Sequence, residues 1–398
     1  MTEKLFYQDS YVSEFEANVL SCNPLGSDGK TEAKYEAVLD RTAFFPEGGG
    51  QCADTGVLHI ENRKIKVFDV QERNGEIIHF IDEEILPGQT VIGEVEFQER
   101  FSKMQQHTGE HIISGIVHRR FGYENVGFHL GKEEVTMDYD GPLTGEELRS
   151  IEYEANQVVA ENREIKAYFP STEELEKIPY RSKKELQGKI RIVEIQDCDI
   201  CACCAPHVQT TGNVGLIKIT NAIRYKGGMR LWIACGMRAL EDYNQKESSV
   251  VQISNMLSAK QQEVTDAVKR LTEEIQQLKE KAAKMQERLV MGYLESEKAV
   301  LKENPNANLL LFEKELDAMA MRNFVNAGME LTKGVCGAFV GDEKQGFRYV
   351  LGSSGDIREI GKKLNAAFQG KGGGKPPMIQ GSLVGEEEKI REFLEKVL

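Results

Sequence analysis

A chain of 398 residues is too long for one ordinary core, so two or three domains are the starting expectation. Hydrophobic content of 40% with 29% charged residues suits folded domains with a water-facing surface, and no apolar run approaches the roughly 20 residues of a membrane helix. The net charge of −14 argues against a protein that coats nucleic acid indiscriminately, and the acidic start MTEKLFYQDSYVSEFEA lacks the basic-then-apolar layout of a signal peptide, so a cytoplasmic setting is expected.

Residues 1–95 read as β. Short runs at Tyr35–Leu39, Val57–Ile60 and Ile65–Val70 are separated by turn signals such as Asn74-Gly75 and Pro87-Gly88, which predicts a small barrel or a strongly curved sheet. A helix is expected from Glu99 to about Phe121, and Thr144-Gly145-Glu146-Glu147 forms a capping box ahead of Leu148, Ile151, Ala155, Val158 and Val159. Strand-like runs follow at Ile190–Ile195, Leu216–Thr220 and Met229–Ala234, so residues 96–240 are read as an α+β domain. Residues 240–300 read as one long polar helix. Its Val264, Val268, Leu271, Ile275, Leu278, Ala282, Met285 and Leu289 alternate in steps of four and three, a coiled-coil seam that needs a partner, with a homodimer through 264–289 favoured. A last domain, residues 303–398, offers a hairpin (Val335–Val340 with Phe347–Leu351), a helix (Ile357–Phe368) and a glycine loop, Gly370 to Pro377, carrying Lys371 and Lys375. The fold class is therefore α+β: a barrel over 1–95, a second domain over 96–240, a helical linker over 241–302, and a C-terminal domain.

Chemistry concentrates in two places. Gln106-His107-Thr108-Gly109-Glu110-His111 sets two imidazoles one helical turn apart on one face, and Cys203-Cys204-Ala205-Pro206-His207 adds a thiolate and an imidazole. Either pair alone is weak; together, in one acidic chain, they predict a mononuclear zinc site of His107, His111, Cys203 and His207, since mixed nitrogen and sulfur donors suit a borderline-soft ion. Four of the eight cysteines, Cys198, Cys201, Cys203 and Cys204, crowd into seven residues, so the sulfur ligand has competitors. A structural knuckle (Cys198, Cys201, Cys204, His207) would leave His107 and His111 unexplained. His107-x-x-Glu110-His111 also fits the H-x-x-E-H peptidase form with Glu110 as base, yet the obvious downstream partner is a Cys/His pair and not a glutamate. The second place is Thr42-Ala43-Phe44-Phe45-Pro46-Glu47-Gly48-Gly49-Gly50-Gln51 with Asp54-Thr55-Gly56, where three successive glycines suggest close approach of a ligand or a tight corner. Two basic clusters, Arg181, Lys183, Lys184, Lys189 and Arg191, then Arg224, Lys226 and Arg230, read equally as solvated surface or phosphate-facing patches.

Together, Thr42–Gly56, the H-x3-H at His107 and the C-x3-H at Cys203 followed by Thr211-Gly212 resemble the editing domain of alanyl-tRNA synthetases, and still more the free-standing alanyl-tRNA editing proteins of the AlaX family. Phe128-His129-Leu130-Gly131 and Ile151-Glu152 through Asn162-Arg163 fit the same pattern, and the final glycine loop with Pro376 and Gln380-Gly381 resembles a DHH-associated domain. The chain begins directly in the barrel, so the resemblance implies a long-form trans-editing hydrolase that releases serine, with glycine a second candidate, from mischarged tRNA(Ala). It implies one Zn²⁺ per chain that orients the aminoacyl group or a water, with no separate general base. It further implies an aminoacyl pocket shaped by Thr42, Phe44, Gly48, Gly49, Gly50, Gln51 and Asp54, with Thr42 and Gln51 reading the serine hydroxyl. Arg224, Lys226 and Arg230 would hold the acceptor end, and Lys371 and Lys375 would grip tRNA elsewhere. Departures are Cys204, Ala205 and Pro206 where small residues are common, Gly109 and Glu110 within the helix motif, and lysines where arginine is usual in the last loop. A non-catalytic tRNA-binding protein is the main rival. No Asp-His-His triplet supports a phosphoesterase.

Overall fold

The computed structural model describes residues 1–26, 32–132, 134–182 and 188–396, and the chain divides into two compact units, Met1–Val251 and Gln252–Leu398. Lys183 and Lys184 lie outside the described residues. The first unit encompasses both the barrel and the domain that follows it in sequence. Among the described residues, no helix is long and apolar enough to cross a membrane.

Six strands close a barrel: β1 (Glu14–Pro24), β2 (Tyr35–Leu39), β3 (Gly56–Ile60), β4 (Arg63–Arg73), β5 (Glu76–Ile81) and β6 (Thr90–Val95), in the order β1-β2-β5-β4-β3-β6. Strict alternation drives it. In β1 Phe15, Ala17 and Val19 turn inward while Glu14, Glu16 and Asn18 face water, and β6 repeats the pattern with Val91 and Val95. The expected Asn74-Gly75 turn joins β4 to β5, with both residues at positive φ (54° and 81°) as a two-residue hairpin needs. Closure leaves no open sheet edge, and Leu39, Phe44, Leu58, Ile65 and Ile81 fill the interior.

Helix α1 (Phe97–Phe121) follows immediately and stops where Gly122 takes a left-handed φ of 70°. It is buried on nearly every side, polar residues included. Against it pack helix α2 (Gly145–Ala160) and a sheet of β7 (Asn125–Leu130), β8 (Val135–Tyr139), β12 (Ile217–Tyr225) and β13 (Gly228–Cys235), ordered β12-β13-β8-β7. Between these in sequence, β9 (Ile165–Tyr168), β10 (Ile192–Ile195) and β11 (Asp199–Ala202) make a second antiparallel sheet. The capping box at α2 forms as read: Thr144 Oγ1 accepts from Glu147 N (3.2 Å) and the Glu147 carboxylate accepts from Thr144 N (2.7 Å). Two amide side chains finish the sheet's ends by imitating a neighbouring strand. Gln106 exchanges two hydrogen bonds with the backbone of Cys235 (both 2.8 Å), and Asn156 does the same with Ile217 (2.8 and 2.9 Å). Helix–sheet contact is close enough that a Cβ on Gly109 would lie 2.4 Å from Cys235 Sγ, which accounts for the glycine inside the histidine motif.

The single helix expected over 240–300 is two. Helix α3 (Met237–Met256) ends as Ser258 adopts φ 49° and Ala259 N donates to Ser254 O, and α4 (Val264–Glu303) starts afresh. In the second unit, β14 (Leu309–Glu313), β15 (Cys336–Asp342), β16 (Gly346–Gly352), β17 (Lys371–Lys375) and β18 (Met378–Leu383) form a sheet ordered β14-β15-β16-β18-β17, parallel only between β14 and β15. Alternate residues serve opposite faces. Leu309, Leu311, Ala338 and Val340 meet the C-terminal half of α4 and α5 (Ala318–Met329), whereas Leu310, Phe339, Tyr349 and Ile379 meet α6 (Arg358–Ala367) and α7 (Glu387–Lys396). The lysine–glycine stretch read as a loop is strand β17, because Lys371–Lys375 pairs residue by residue with Met378–Ser382. Glycines without side chains can lie flat against a partner backbone, so their presence did not demand a loop.

Candidate metal centre

The segment before α1 is held down by α1 itself. Arg100, fully buried, donates from Nε to Asp54 (3.0 Å), from Nη1 to Val12 O (3.0 Å) and from Nη2 to both Ala43 O and Asp54. Lys103 Nζ donates to Ala53 O (2.6 Å), and Asp54 also accepts from Phe45 N (2.7 Å). Within this frame Gly48 and Gln51 exchange backbone hydrogen bonds (3.0 Å each) around Gly49 and Gly50, whose φ values are 61° and 83°. Gly50 O accepts from Leu130 N (2.8 Å), and a Cβ there would sit 2.7 Å from Phe128 O, so only glycine fits. The turn delivers Gln51 to the first histidine.

Four side chains converge on one point. The donor atoms of His107, His111, Cys203 and His207 all lie within 4.8 Å of one another. Each imidazole commits Nδ1 to an oxygen: His107 to Gln51 Oε1 (3.0 Å), His111 to Asp199 Oδ2 (2.9 Å) and His207 to Thr108 Oγ1 (3.0 Å). Gln51 Oε1 and Asp199 Oδ2 can only accept, which puts the proton of His107 and His111 on Nδ1, and with Thr108 Oγ1 accepting from His207 all three Nε2 lone pairs are left to point inward, as ligating histidines require. Cys203 Sγ stands 3.5 Å from His107 Nε2 and 3.4 Å from His207 Nε2. Ordinary zinc bond lengths on a tetrahedron give a sulfur–nitrogen edge of about 3.6 Å, so these spacings fit a small tetrahedral ion. The four residues form a cluster that could hold a metal ion.

Of the four clustered thiols, Cys203 alone is drawn down. Burial pushes it up, but His107 and His207 outweigh that and hold it well below the usual thiol range. Burial pushes Cys198 up to about 12 and Cys204 up to about 11, and it raises Cys201 as well. Around the thiolate, burial lowers His207 to about 3, while His111 rises to about 9 because the hydrogen bond to Asp199, followed by Cys203, overcomes its burial. Cys204 Sγ turns toward the glycine turn, 3.3 Å from a Cβ built on Gly49, and packs with Phe6, Phe45 and Ala205. Cys198 Sγ faces Ile112 O. The knuckle of Cys198, Cys201, Cys204 and His207 is therefore not assembled. Glu110 is fully buried, and its Oε1 accepts from Ser114 Oγ and Asn125 Nδ2 (2.6 Å each). Arg191 anchors the ligand loop by donating to Cys203 O (3.1 Å) and Ala205 O (2.9 Å).

Residues 1–99 match the family described as tRNA synthetases class II (A), and residues 190–249 match the threonyl and alanyl tRNA synthetase second additional domain. The chain is similar to the alanyl-tRNA editing protein AlaX-L of Pyrococcus horikoshii at 26% identity, covering 100% of this chain and 98% of that protein. It is similar to the mouse alanyl-tRNA editing protein Aarsd1 at 29% identity over 95% of this chain and 93% of that one. The chain is a homologue of the alanyl-tRNA editing proteins along its whole length. It also resembles the alanine–tRNA ligase of Ignicoccus hospitalis at 32% identity, but there 75% of this chain spans only 33% of the ligase.

Beside that family pattern, the remaining site expectations separate into groups. Gln51 and Gly49 reach the cluster, the first through its hydrogen bond to His107 and the second beside the His107 ring, whereas Gly48 lies beside Cys204 and Gly50 against Phe128, whose ring centroid is 4.8 Å from that of His107. Thr42 does not reach the cluster: its hydroxyl meets His79 Nε2 (2.9 Å) inside the barrel, where Phe44 also packs. Asp54 serves Arg100. Arg230 is bound on both forks to Asp138 (2.6 and 2.7 Å) and lies over the Tyr225 ring, whereas Arg224 and Lys226 stand at the tip of the β12–β13 hairpin. Lys371 and Lys375 are exposed on the edge strand. Arg181 and Arg191, counted above with a surface cluster, are buried. Nothing in the sequence pattern pointed to Thr108, Asp199 or Arg181, since they are separated in sequence from the histidines they serve or hidden among residues read for other reasons.

Proposed function

We propose that this chain is a trans-editing hydrolase that cleaves the ester between an amino acid and the terminal ribose of mischarged tRNA(Ala), releasing serine and, as a second substrate, glycine. The observation that carries the reading is the quartet itself, three histidines with Nδ1 committed and one lowered thiol, beside a glycine turn that admits a ligand. Zinc is the ion this donor set suits, and when bound it would supply Lewis acidity toward the ester. The protein's part is to orient and to select. Gln51 holds His107 through Oε1, and its buried Nε2 has no hydrogen-bond partner among the described residues, so it is positioned to donate to a substrate oxygen. A site that pairs with the serine hydroxyl loses that partner with alanine, which is how correctly charged tRNA escapes, and the same loss makes the glycine ester the poorer of the two substrates. Because the Thr42 hydroxyl already meets His79, Gln51 carries this role alone. Phe128 lies against the His107 ring and would wall the aminoacyl group from water.

The second unit reads as a DHH-associated tRNA-binding domain whose Lys371 and Lys375 grip the tRNA body, while Arg224 and Lys226 at the hairpin tip meet acceptor-end phosphates. Arg230, already paired with Asp138, contributes less. The α4 seam at 264–289 joins two copies of the chain. Ser-tRNA(Ala) deacylation, measured for wild type, Cys203→Ala and His107→Ala with a metal count on each sample, tests the proposal. Wild type should release serine and both variants should fall to background; equal rates in all three would leave a tRNA-binding protein without catalysis. Cleavage of peptides in place of the ester, lost on Glu110→Gln, would instead favour the H-x-x-E-H peptidase.

A further inference from the structure

Beside the quartet lies a second buried group of ligand-type atoms, His111, Asp199 and Cys201, also within 4.8 Å of one another. The two groups share His111. An ion bound by the second group would compete with the first for His111 and would take Asp199 from the His111 Nδ1 proton, so something has to decide between them.

Arg181 occupies the deciding position. Its Nε donates to Asp199 Oδ1 (2.8 Å) and its Nη2 to Asp199 Oδ2 (2.9 Å), a two-pronged pairing with both side chains almost wholly buried. The same Oδ2 accepts the Nδ1 proton of His111 (2.9 Å). Both carboxylate oxygens are thus engaged, and a fixed positive charge stands where a second cation would have to approach. The main chain of Arg181 is equally constrained. Arg181 N donates to Ile200 O (2.8 Å), and Ala202 N donates to Arg181 O (2.9 Å), which seats the residue along β11 immediately before Cys203. One arginine therefore ties together the strand that leads to the sulfur ligand and the carboxylate that orients an imidazole ligand.

We infer that Arg181 is a positioning residue of the metal centre: it saturates Asp199 so that this carboxylate acts on His111 only as a hydrogen-bond acceptor, which keeps His111 Nε2 aimed at the quartet and keeps Asp199 and Cys201 out of metal binding. The inference rests on the zinc reading above and adds a residue to it. Asp199 without Arg181 would be a buried charge with one partner, free to rotate toward a cation.

Zinc affinity measured against a chromophoric chelator on the full chain tests this, with wild type, Arg181→Met, Arg181→Lys, Asp199→Asn and the double variant Arg181→Met/Asp199→Asn compared. Arg181→Met should weaken zinc binding roughly 10–100-fold, the range for loss of an outer partner of a ligand, and Arg181→Lys should recover part of it. The double variant should bind no more weakly than Asp199→Asn, because Arg181 acts through Asp199. Cobalt(II) substitution gives a second readout, since the wild-type spectrum should report one thiolate and that of Arg181→Met a shifted or mixed coordination. Wild-type affinity in Arg181→Met, or effects of the two residues that simply add, would overturn the inference. If Arg181→Met does not fold, the lysine variant carries the same comparison. A wild-type protein that binds no zinc would overturn the zinc reading itself, which is a different failure.

Discussion

Helix α1 buries what a helix ordinarily shows to water, and helix α4 shows to water what a helix ordinarily buries. In α1, Arg100, Lys103, Gln106, His107, Thr108, Glu110 and His111 are all buried, and their polar atoms find partners on the barrel segment, on β13, on Asn125, on Asp199 and on His207. In α4, Leu271, Leu278 and Met285 of the apolar seam are 44%, 55% and 68% exposed, although Val290, Leu294 and Leu301 further along are buried against the sheet. Both helices depart from the amphipathic rule, and each departure marks a requirement beyond folding. The first is met inside the chain by a network with its partners in place. The second leaves its apolar seam exposed in the chain by itself.

The sharpest way to break this contrast is at Arg100. Arg100→Met leaves Asp54 buried without its counter-charge and should cost about 3–5 kcal/mol, read as a drop in the urea midpoint with an unchanged slope. A loss below about 1 kcal/mol would mean the α1 network is decoration on an apolar frame. Acid should act nearly as strongly on the barrel. Burial holds His79 at about 4 against an ordinary 6.5, so as pH falls from 6.5 to 4 the unfolded chain takes up a proton that the folded barrel refuses. Stability should fall by about 3 kcal/mol across that window and level off below it, and His79→Gln should flatten this part of the profile. Gln51→Leu removes the acceptor for His107 and should weaken zinc binding about 10-fold or more with the fold intact by circular dichroism. An unchanged affinity would confine Gln51 to the substrate. Smallest in stability are Leu271→Glu and Ile275→Lys on the exposed seam, each within about 0.5 kcal/mol for an isolated chain. Their effect should appear in sedimentation, as a shift from dimer to monomer. A wild type that already sediments as a monomer would show that the seam serves some other partner.

Much of this was legible from residue spacing. The histidine pair one turn apart and the C-x3-H loop named the quartet, because ligand geometry imposes spacing within each element. Short apolar runs between turn signals named the strand at Tyr35–Leu39 and the hairpin near Val335, and Asn74-Gly75 named its turn. What stayed hidden depended on contacts distant in sequence. Asp199 and Thr108 orient histidines that they meet 88 and 99 residues away, and no local pattern marks such a pairing. Arg181 and Arg191 read equally as solvated surface or a phosphate-facing patch, because a charge pattern carries no record of burial. The break at Ser258 went unseen since serine, not glycine, takes the left-handed turn. The glycine stretch at 371–375 misled in the opposite direction, its flexibility read as a loop although a partner strand fixes it.

That strand has a consequence of its own. β17 is the outermost strand of its sheet, and its three central residues present bare backbone with no side chain to obstruct another chain. An unguarded edge of this kind invites uncontrolled strand addition and clumping. Lys371 and Lys375 bracket it as gatekeepers, carrying positive charge and a tightly held water shell to both ends. Acetylating the pair, or replacing both with glutamine, should leave the domain folded and make its solutions turbid at concentrations the unmodified protein tolerates.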